Sequence, residues 1–103
     1  MMGIQSEVVL IAEATALPGK REELRRAFDE LVPKSLAEEG VSVFRLHENR
    51  DKPGHFVLYE RFRDQGALDT HVAMDHFAKI LRDFASLAEG GKPKITYYHA
   101  LTE

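Results

Sequence analysis

The sequence predicts a single α+β domain spanning residues 1–103, with strands and helices in the order β-α-β-β-α-β. Three observations carry this prediction. The hydrophobic spacing switches between the two-residue period of strands and the 3.6-residue period of helices. Two alternating runs flank a six-residue turn sequence, Asn49 to Gly54, as in a β-hairpin. The length of 103 residues and the 44% hydrophobic content suit one globular domain. This order is the ferredoxin-like one, an antiparallel four-stranded sheet with both helices on one face.

The first half of the chain predicts a strand followed by a helix. Residues 7–15 are rich in β-branched side chains and apolar on both faces, as in a central strand. From Arg21 to about Glu38 the apolar positions follow helical spacing. Pro33 predicts a kink near Val32, and Gly40 is a helix stop.

The second half predicts a hairpin, a helical stretch and a last strand. The hairpin strands are residues 41–48 and 55–62, and we expect Phe44 near Leu58 and Leu46 near Phe56. Asp64 is a predicted N-cap for the helical stretch, which we expect to break near Ala73 and to end at Gly90. The last strand is predicted over residues 95–101.

Composition excludes several classes of function. With 14 basic and 17 acidic side chains the formal charge is −3, which argues against a nucleic-acid partner. The absence of cysteine excludes disulfides, thiolate nucleophiles and cysteine-ligated metals. No apolar run is long enough to span a bilayer and no leader segment is recognisable, so we expect a cytoplasmic protein without a membrane partner.

One face of the predicted sheet is left without helices, yet its centre is apolar. The residues assigned to this centre are Val41, Val43, Val57 and Tyr59. Arg45, His47, His55 and Arg61 lie towards its ends. An apolar centre with a polar rim is typical of a buried interface, so we predict a homodimer packed sheet to sheet.

The other face of the hairpin predicts an apolar pocket with a proton-transfer pair. It carries Phe44, Leu46, Phe56, Leu58 and Phe62, with Glu60 among them. A carboxylate there is costly unless it is paired or protonated. His71 follows on the stripe of Leu68 and Val72, so we expect Glu60 and His71 to pair, as catalytic groups or as a structural hydrogen bond.

Two further residues complete the predicted site. His76 begins the second helical segment, where the helix dipole disfavours a positive charge, and is a third catalytic candidate. The pocket-lining set is predicted to be Phe44, Leu46, Leu58, Phe62, Leu68 and Phe77. On a continuous helix His71 and His76 would point ~140° apart, so no metal site is expected.

The chain also resembles the antibiotic biosynthesis monooxygenase domain family over nearly its whole length. The matching residues include Glu38-Glu39-Gly40, residues 43–47, residues 56–64 with the Tyr59-Glu60 pair, and His71 with Asp75-His76-Phe77. The resemblance implies a dimeric α+β barrel and a quinol-monooxygenase-like activity that oxidises small aromatic, quinol or polyketide-like substrates with O2 and without any cofactor.

The same resemblance leaves other activities open. One branch of the family isomerises a phosphorylated autoinducer, and the Glu38-Glu39-Gly40 run together with Phe62 in place of the usual tryptophan favours that branch. A phosphate needs cationic partners, so Arg45 or Lys34 near the pocket would support this activity and an all-apolar pocket would weaken it. Haem degradation is not expected, since Leu81 occupies the position of the haem-ligating histidine. A non-catalytic, ligand-binding dimer is the third alternative.

Overall fold

A computed structural model describes residues 6–103 and has the predicted α+β architecture. The elements are β1 (Val8–Thr15), α1 (Arg21–Leu36), β2 (Val41–Glu48), β3 (His55–Phe62), α2 (Gln65–Val72), α3 (Asp75–Leu87), a 3-10 turn (Glu89–Gly91) and β4 (Lys94–Tyr98). The sheet order is β2-β3-β1-β4, with every neighbouring pair antiparallel. The fold prediction is confirmed, and the order is β-α-β-β-α-α-β because the second helical stretch is two helices.

The helix-facing side of the sheet forms the core. Phe28 of α1 lies between Phe56 of β3 and Phe84 of α3, with ring centroids 5.3 and 5.7 Å away. These rings are almost completely buried and bring β3, α1 and α3 into one apolar cluster. Among the described helices, none is both long and apolar enough to cross a membrane. Residues 1–5, on which the expectation about a leader segment partly rests, lie outside the described residues.

The hairpin register differs by two residues from the prediction. Phe44 lies opposite Glu60, and Leu46 lies opposite Leu58. The Asn49 amide donates to the His55 carbonyl at 2.9 Å, which extends the pairing into the predicted loop. A slip of two residues leaves every side chain on its predicted face, because side chains alternate with a period of two.

An irregularity in β2 corrects the assignment of Val41. The register shifts between Val41 and Val43, so Val41 lies opposite Phe62 and is only 8% exposed, within the core cluster. The prediction that Val41 belongs to the open sheet face is therefore wrong. Val43 and Tyr59 remain on that face, where Ile11 of β1 lies opposite Tyr59.

The predicted N-cap and helix break are both present. The Asp64 carboxylate accepts a hydrogen bond from the Ala67 amide at 2.8 Å, which satisfies a free N–H of the first turn of α2. Helix α2 ends at Val72, and α3 starts at Asp75 after an extended Met74. This change of direction decides how the two histidines on either side of it are placed.

Candidate active site

A cavity of about 160 Å³ lies between the sheet and the helices. Its walls are mostly apolar and come from all three helices and from β1 to β4. The lining residues are Leu10, Ala12, Leu31, Phe44, Leu58, Glu60, Leu68, His71, Val72, Phe77, Ile80, Leu81, Phe84, Pro93, Ile95 and Tyr97. Four of these apolar side chains are also substantially exposed: Val72, Leu81, Ile95 and Tyr97. The cavity therefore has an apolar mouth between helices α2 and α3 and the edge strand β4.

His71 is the basic group on the cavity wall, and aromatic rings surround it. Its residue is 2% exposed. The ring centroids of Phe44, Phe62 and Phe77 lie 5.5, 5.3 and 5.4 Å from that of the imidazole. These contacts restrict the imidazole plane, so its two nitrogens have fixed directions.

The hydrogen-bond partner of His71 is Glu38. Nδ1 of His71 lies 2.7 Å from Oε2 of Glu38, and Nε2 of His76 lies 2.6 Å from the same oxygen. All three side chains are largely buried. The second Glu38 oxygen, Oε1, is buried and has no hydrogen-bond partner among the described residues.

The loop between α1 and β2 positions Glu38. The Glu38 amide donates to the Ser35 carbonyl, and the Arg63 amide donates to the Gly40 carbonyl at 2.8 Å. A Cβ on Gly40 would lie 2.4 Å from the Cβ of Ala67, so only glycine allows this loop to pack so closely against α2. The close packing brings Glu38 to the helix that carries His71.

The helix break brings His76 to the same carboxylate. The ring centroids of His71 and His76 are 5.8 Å apart. On a continuous helix the two side chains would diverge, but the extended backbone at Met74 redirects the chain before α3 begins. The separation of these histidines expected for an unbroken helix is therefore not observed.

These contacts define the tautomer of His71. An ionised carboxylate can only accept hydrogen bonds, so Nδ1 of His71 and Nε2 of His76 both donate to Glu38. In a neutral imidazole with its hydrogen on Nδ1, the other nitrogen, Nε2, carries a lone pair. No described residue hydrogen-bonds to it, and the side chain lines the cavity. The arrangement presents an oriented base to whatever occupies the cavity.

Glu60 is the second ionisable group on the cavity wall. It is 6% exposed and receives no hydrogen bond from residues 6–103. Burial, with a smaller contribution from the negative charge of Glu38, raises the pKa of the Glu60 carboxyl to about 8. At neutral pH Glu60 is therefore mostly protonated and can donate a hydrogen bond into the cavity.

Some of the predicted positions and contacts of the site residues are observed in the structure, and others are not. Glu60 and His71 both line the cavity, but His71 pairs with Glu38, so the predicted Glu60–His71 pair is wrong. The physical reason is that a protonated Glu60 needs no charged partner, whereas the Glu38 carboxylate does. Whether Glu60, His71 and His76 act in catalysis stays a prediction.

Four of the six predicted pocket residues line the cavity: Phe44, Leu58, Leu68 and Phe77. Phe62 is fully buried beneath the His71 ring, and Leu46 lines a separate surface groove with Phe56 and His47. The substrate-binding role of the four lining residues stays a prediction.

Sequence reasoning missed Glu38 as a site residue. It lies in a turn, 33 residues before its partner His71. The spacing of hydrophobic residues does not indicate a contact between segments so far apart in the sequence. The available signal was the combination of an acidic turn, a following Gly40 and a helix break between two histidines. Glu38, His71 and His76 are also a set that could hold a metal ion, since one ligand atom from each lies within 4.8 Å of the others.

Comparison with known proteins agrees with this fold. The sequence profile described as "Antibiotic biosynthesis monooxygenase" matches residues 7–83. The chain is 36% identical over 72 residues to "Putative monooxygenase Rv0793" of Mycobacterium tuberculosis, covering 70% of each protein. It is also 36% identical over 70 residues to "Putative monooxygenase YcnE" of Bacillus subtilis, covering 68% of this chain and 74% of that protein.

Solved structures give the same result over more of the chain. The crystal structure of PA3566 from Pseudomonas aeruginosa has a TM-score of 0.88 at 33% identity, covering 96% of this chain and 98% of that one. The structure of Rv0793 has a TM-score of 0.88 at 31% identity, covering 95% and 98%. The similarity supports a monooxygenase-type activity and leaves the substrate and the roles of individual residues unassigned.

Proposed function

The chain belongs to the antibiotic biosynthesis monooxygenase family, and from that premise we propose that it is a cofactor-independent monooxygenase acting on a small aromatic, quinol or polyketide-like substrate. The observation that carries the proposal is the pairing of His71 Nδ1 with Glu38, which leaves Nε2 as a base on the wall of an apolar cavity. Apolar walls suit a flat ring and exclude bulk water.

In the proposed reaction His71 removes a proton from the substrate, and the resulting carbanion reduces O2. For a substrate methylene between aromatic rings, O2 adds at carbon to give a hydroperoxide. Loss of the second C–H proton and cleavage of the O–O bond then yield a carbonyl and water. The substrate supplies all the electrons, so no external reductant is needed. A protonated Glu60 is suited to hydrogen-bond to the leaving oxygen.

Glu38 has a positioning role in this scheme. Its carboxylate holds the Nδ1–H tautomer and stabilises the imidazolium that forms when Nε2 takes a proton. His76 donates to the same oxygen and so limits the orientations available to the Glu38 carboxylate. Loss of Glu38 should therefore lower kcat much more than it changes KM.

The test is O2 uptake by metal-free protein with a panel of hydroquinones and anthrone-type compounds. We expect uptake with at least one class, a fall of at least ~100-fold in kcat for His71→Gln, and unchanged rates for the control His47→Gln. His47 is exposed and lies on the other side of β2. No uptake across the panel by folded protein, or full activity of His71→Gln, would contradict the proposal.

Two alternatives are tested by the same preparation. An isomerase would exchange substrate protons with solvent under anaerobic conditions. Its phosphorylated substrate needs a cation, however, and the described cavity lining contains neither lysine nor arginine; Arg45 lies on the open sheet face instead. A non-catalytic role predicts that the double variant Glu60→Gln, His71→Ala keeps full cellular function.

We also propose that a second copy covers the open sheet face. Val43, Val57, Ile11 and Tyr59 are partly exposed there; Ile11 lies opposite Tyr59, while Val43 lies opposite Arg61 and Val57 opposite His47. Such a patch on a soluble protein is typical of an interface. Pairing through it would stiffen the sheet that forms one wall of the cavity.

A further inference from the structure

We propose that Glu38, His71 and His76 form a binding site for a divalent transition-metal ion of the zinc class. The proposal does not depend on the proposed function, because binding is measured directly. The ligand set is two imidazole nitrogens and one carboxylate oxygen, which is the donor chemistry that Zn²⁺ prefers with three protein ligands and one open position. Hard cations such as Mg²⁺ prefer oxygen ligands alone.

The geometry is already close to that of a metal site. Nδ1 of His71 and Nε2 of His76 lie 2.7 and 2.6 Å from Oε2 of Glu38, and all three ligand atoms lie within 4.8 Å of one another. Tetrahedral ligands at zinc distances are ~3.3 Å apart, so each N···O contact needs to open by ~0.6 Å and the two nitrogens need to approach by at most ~1.5 Å. Three different elements supply the ligands, and the packing around them holds each one in place.

A second observation points to a ligand at the same place. Oε1 of Glu38 is buried without a hydrogen-bond partner among the described residues. An unpartnered carboxylate oxygen is costly in the interior of a protein. Both N–H donors contact Oε2 and leave Oε1 unpaired. A metal ion would compensate the charge of the Glu38 carboxylate and could be bound by one or both of its oxygens.

The site has a route to solvent that avoids the apolar cavity. A surface groove of about 400 Å³, whose lining includes Glu38, Glu39, Arg63, Asp64 and Met74, shares no lining residue with the apolar cavity. The Glu38 side chain is 7% exposed, and this groove is the path by which an ion would approach it. On the other side, Phe62 and Phe77 pack against His71 and shield the site.

Metal binding would also compete with proton transfer. A bound ion takes Nδ1 of His71 and the carboxylate of Glu38, which are the two groups that orient the base in the proposed function. The metal-bound protein and the catalytically competent protein are then mutually exclusive forms. This consequence, unlike the site itself, rests on the proposed function.

The test is calorimetric titration of untagged, chelator-treated protein with ZnCl2. Visible spectra with Co²⁺ in place of Zn²⁺ report the geometry. We expect one ion per protomer and a tetrahedral Co²⁺ spectrum. Because loss of an outer-shell partner alone costs ~10–100-fold in affinity, Glu38→Gln and His76→Gln should each raise Kd by at least ~100-fold. The matched controls Glu89→Gln and His47→Gln, both at exposed positions outside the site and its groove, should change Kd by less than about twofold.

Thermal melts show that each variant is folded before it is titrated. Absence of one-to-one binding by the wild-type protein would overturn the proposal. Equal binding by all five proteins would overturn it too, since exposed histidines would then account for the signal. Neither result bears on O2 uptake by metal-free protein, so failure of the metal site and failure of the proposed function are distinguishable.

Discussion

Glu60→Gln should change how the free energy of unfolding depends on pH. Glu60 is buried on the cavity wall, and its pKa is raised from 4.5 to about 8 in the folded protein. The folded state therefore keeps a proton that the unfolded state releases above pH 4.5. Stability from this group is full below pH 4.5 and is lost as the pH rises through 8. Glutamine is uncharged throughout and nearly isosteric with the protonated acid.

The size of the effect follows from the two pKa values. Between them the free energy of unfolding falls by up to ~1.4 kcal/mol per pH unit. From pH 5 to pH 8 the loss amounts to about 3 kcal/mol, since the slope flattens as each pKa is approached. All other ionisable groups are present in both proteins, so the pH-dependent difference between the wild type and Glu60→Gln reports Glu60 together with its interaction with Glu38.

The assay is urea denaturation of both proteins at a fixed protomer concentration, from pH 5 to pH 8. We expect Glu60→Gln to gain about 3 kcal/mol relative to the wild type across this range. The matched control is Glu39→Gln, whose exposed side chain should change stability by less than ~0.5 kcal/mol at every pH. If the difference between the wild type and Glu60→Gln stays constant with pH, the cavity does not hold Glu60 protonated and the reasoning fails.

Three further predictions concern the surroundings of the site. Val43→Asp puts a charge on the open sheet face and should yield monomers in light scattering with a lower Tm; an unaffected dimer would contradict the interface. Gly40→Ala should cost ~1–3 kcal/mol by overpacking and lower kcat, because its Cβ meets that of Ala67 at 2.4 Å; adding Ala67→Gly should restore kcat, measured by O2 uptake. Arg21 bonds Glu48 at 2.6 and 2.7 Å and lowers the pKa of that carboxyl to about 2. Stability from Glu48 is thus lost as pH falls from 4.5 through 2, and Arg21→Gln should reduce this loss in acid unfolding curves, whereas an unchanged curve would exclude the pair as its source.

Much of the fold follows from local patterns. Alternation placed both hairpin strands, and Asp64 marked the start of α2, because strand alternation and N-capping depend on neighbours within a few residues. The same alternation put Glu60 on the apolar face, from which its protonated state follows. The two-residue error in the register did not change the sheet face to which each side chain was assigned, because side chains alternate between the faces with a period of two.

The irregularity at Val41 was beyond such patterns. It inserts one residue into β2 and turns Val41 from the open face into the core. The alternation of residues 41–48 in the sequence does not indicate this extra residue. Register irregularities depend on how a strand fits its partner and the helices above it, which are long-range contacts.

The sequence by itself determined the element order, the apolar face with Glu60 and the presence of His71 beside it. Only the tertiary structure decided that Glu38 is the partner of His71 and that His76 shares it. Glu38 reaches His71 because Gly40 lets the α1–β2 loop pack closely against Ala67, a contact between segments more than twenty residues apart. A side-chain pair of this kind depends on how whole elements pack together. The spacing of hydrophobic residues indicates only the type of element to which a residue belongs.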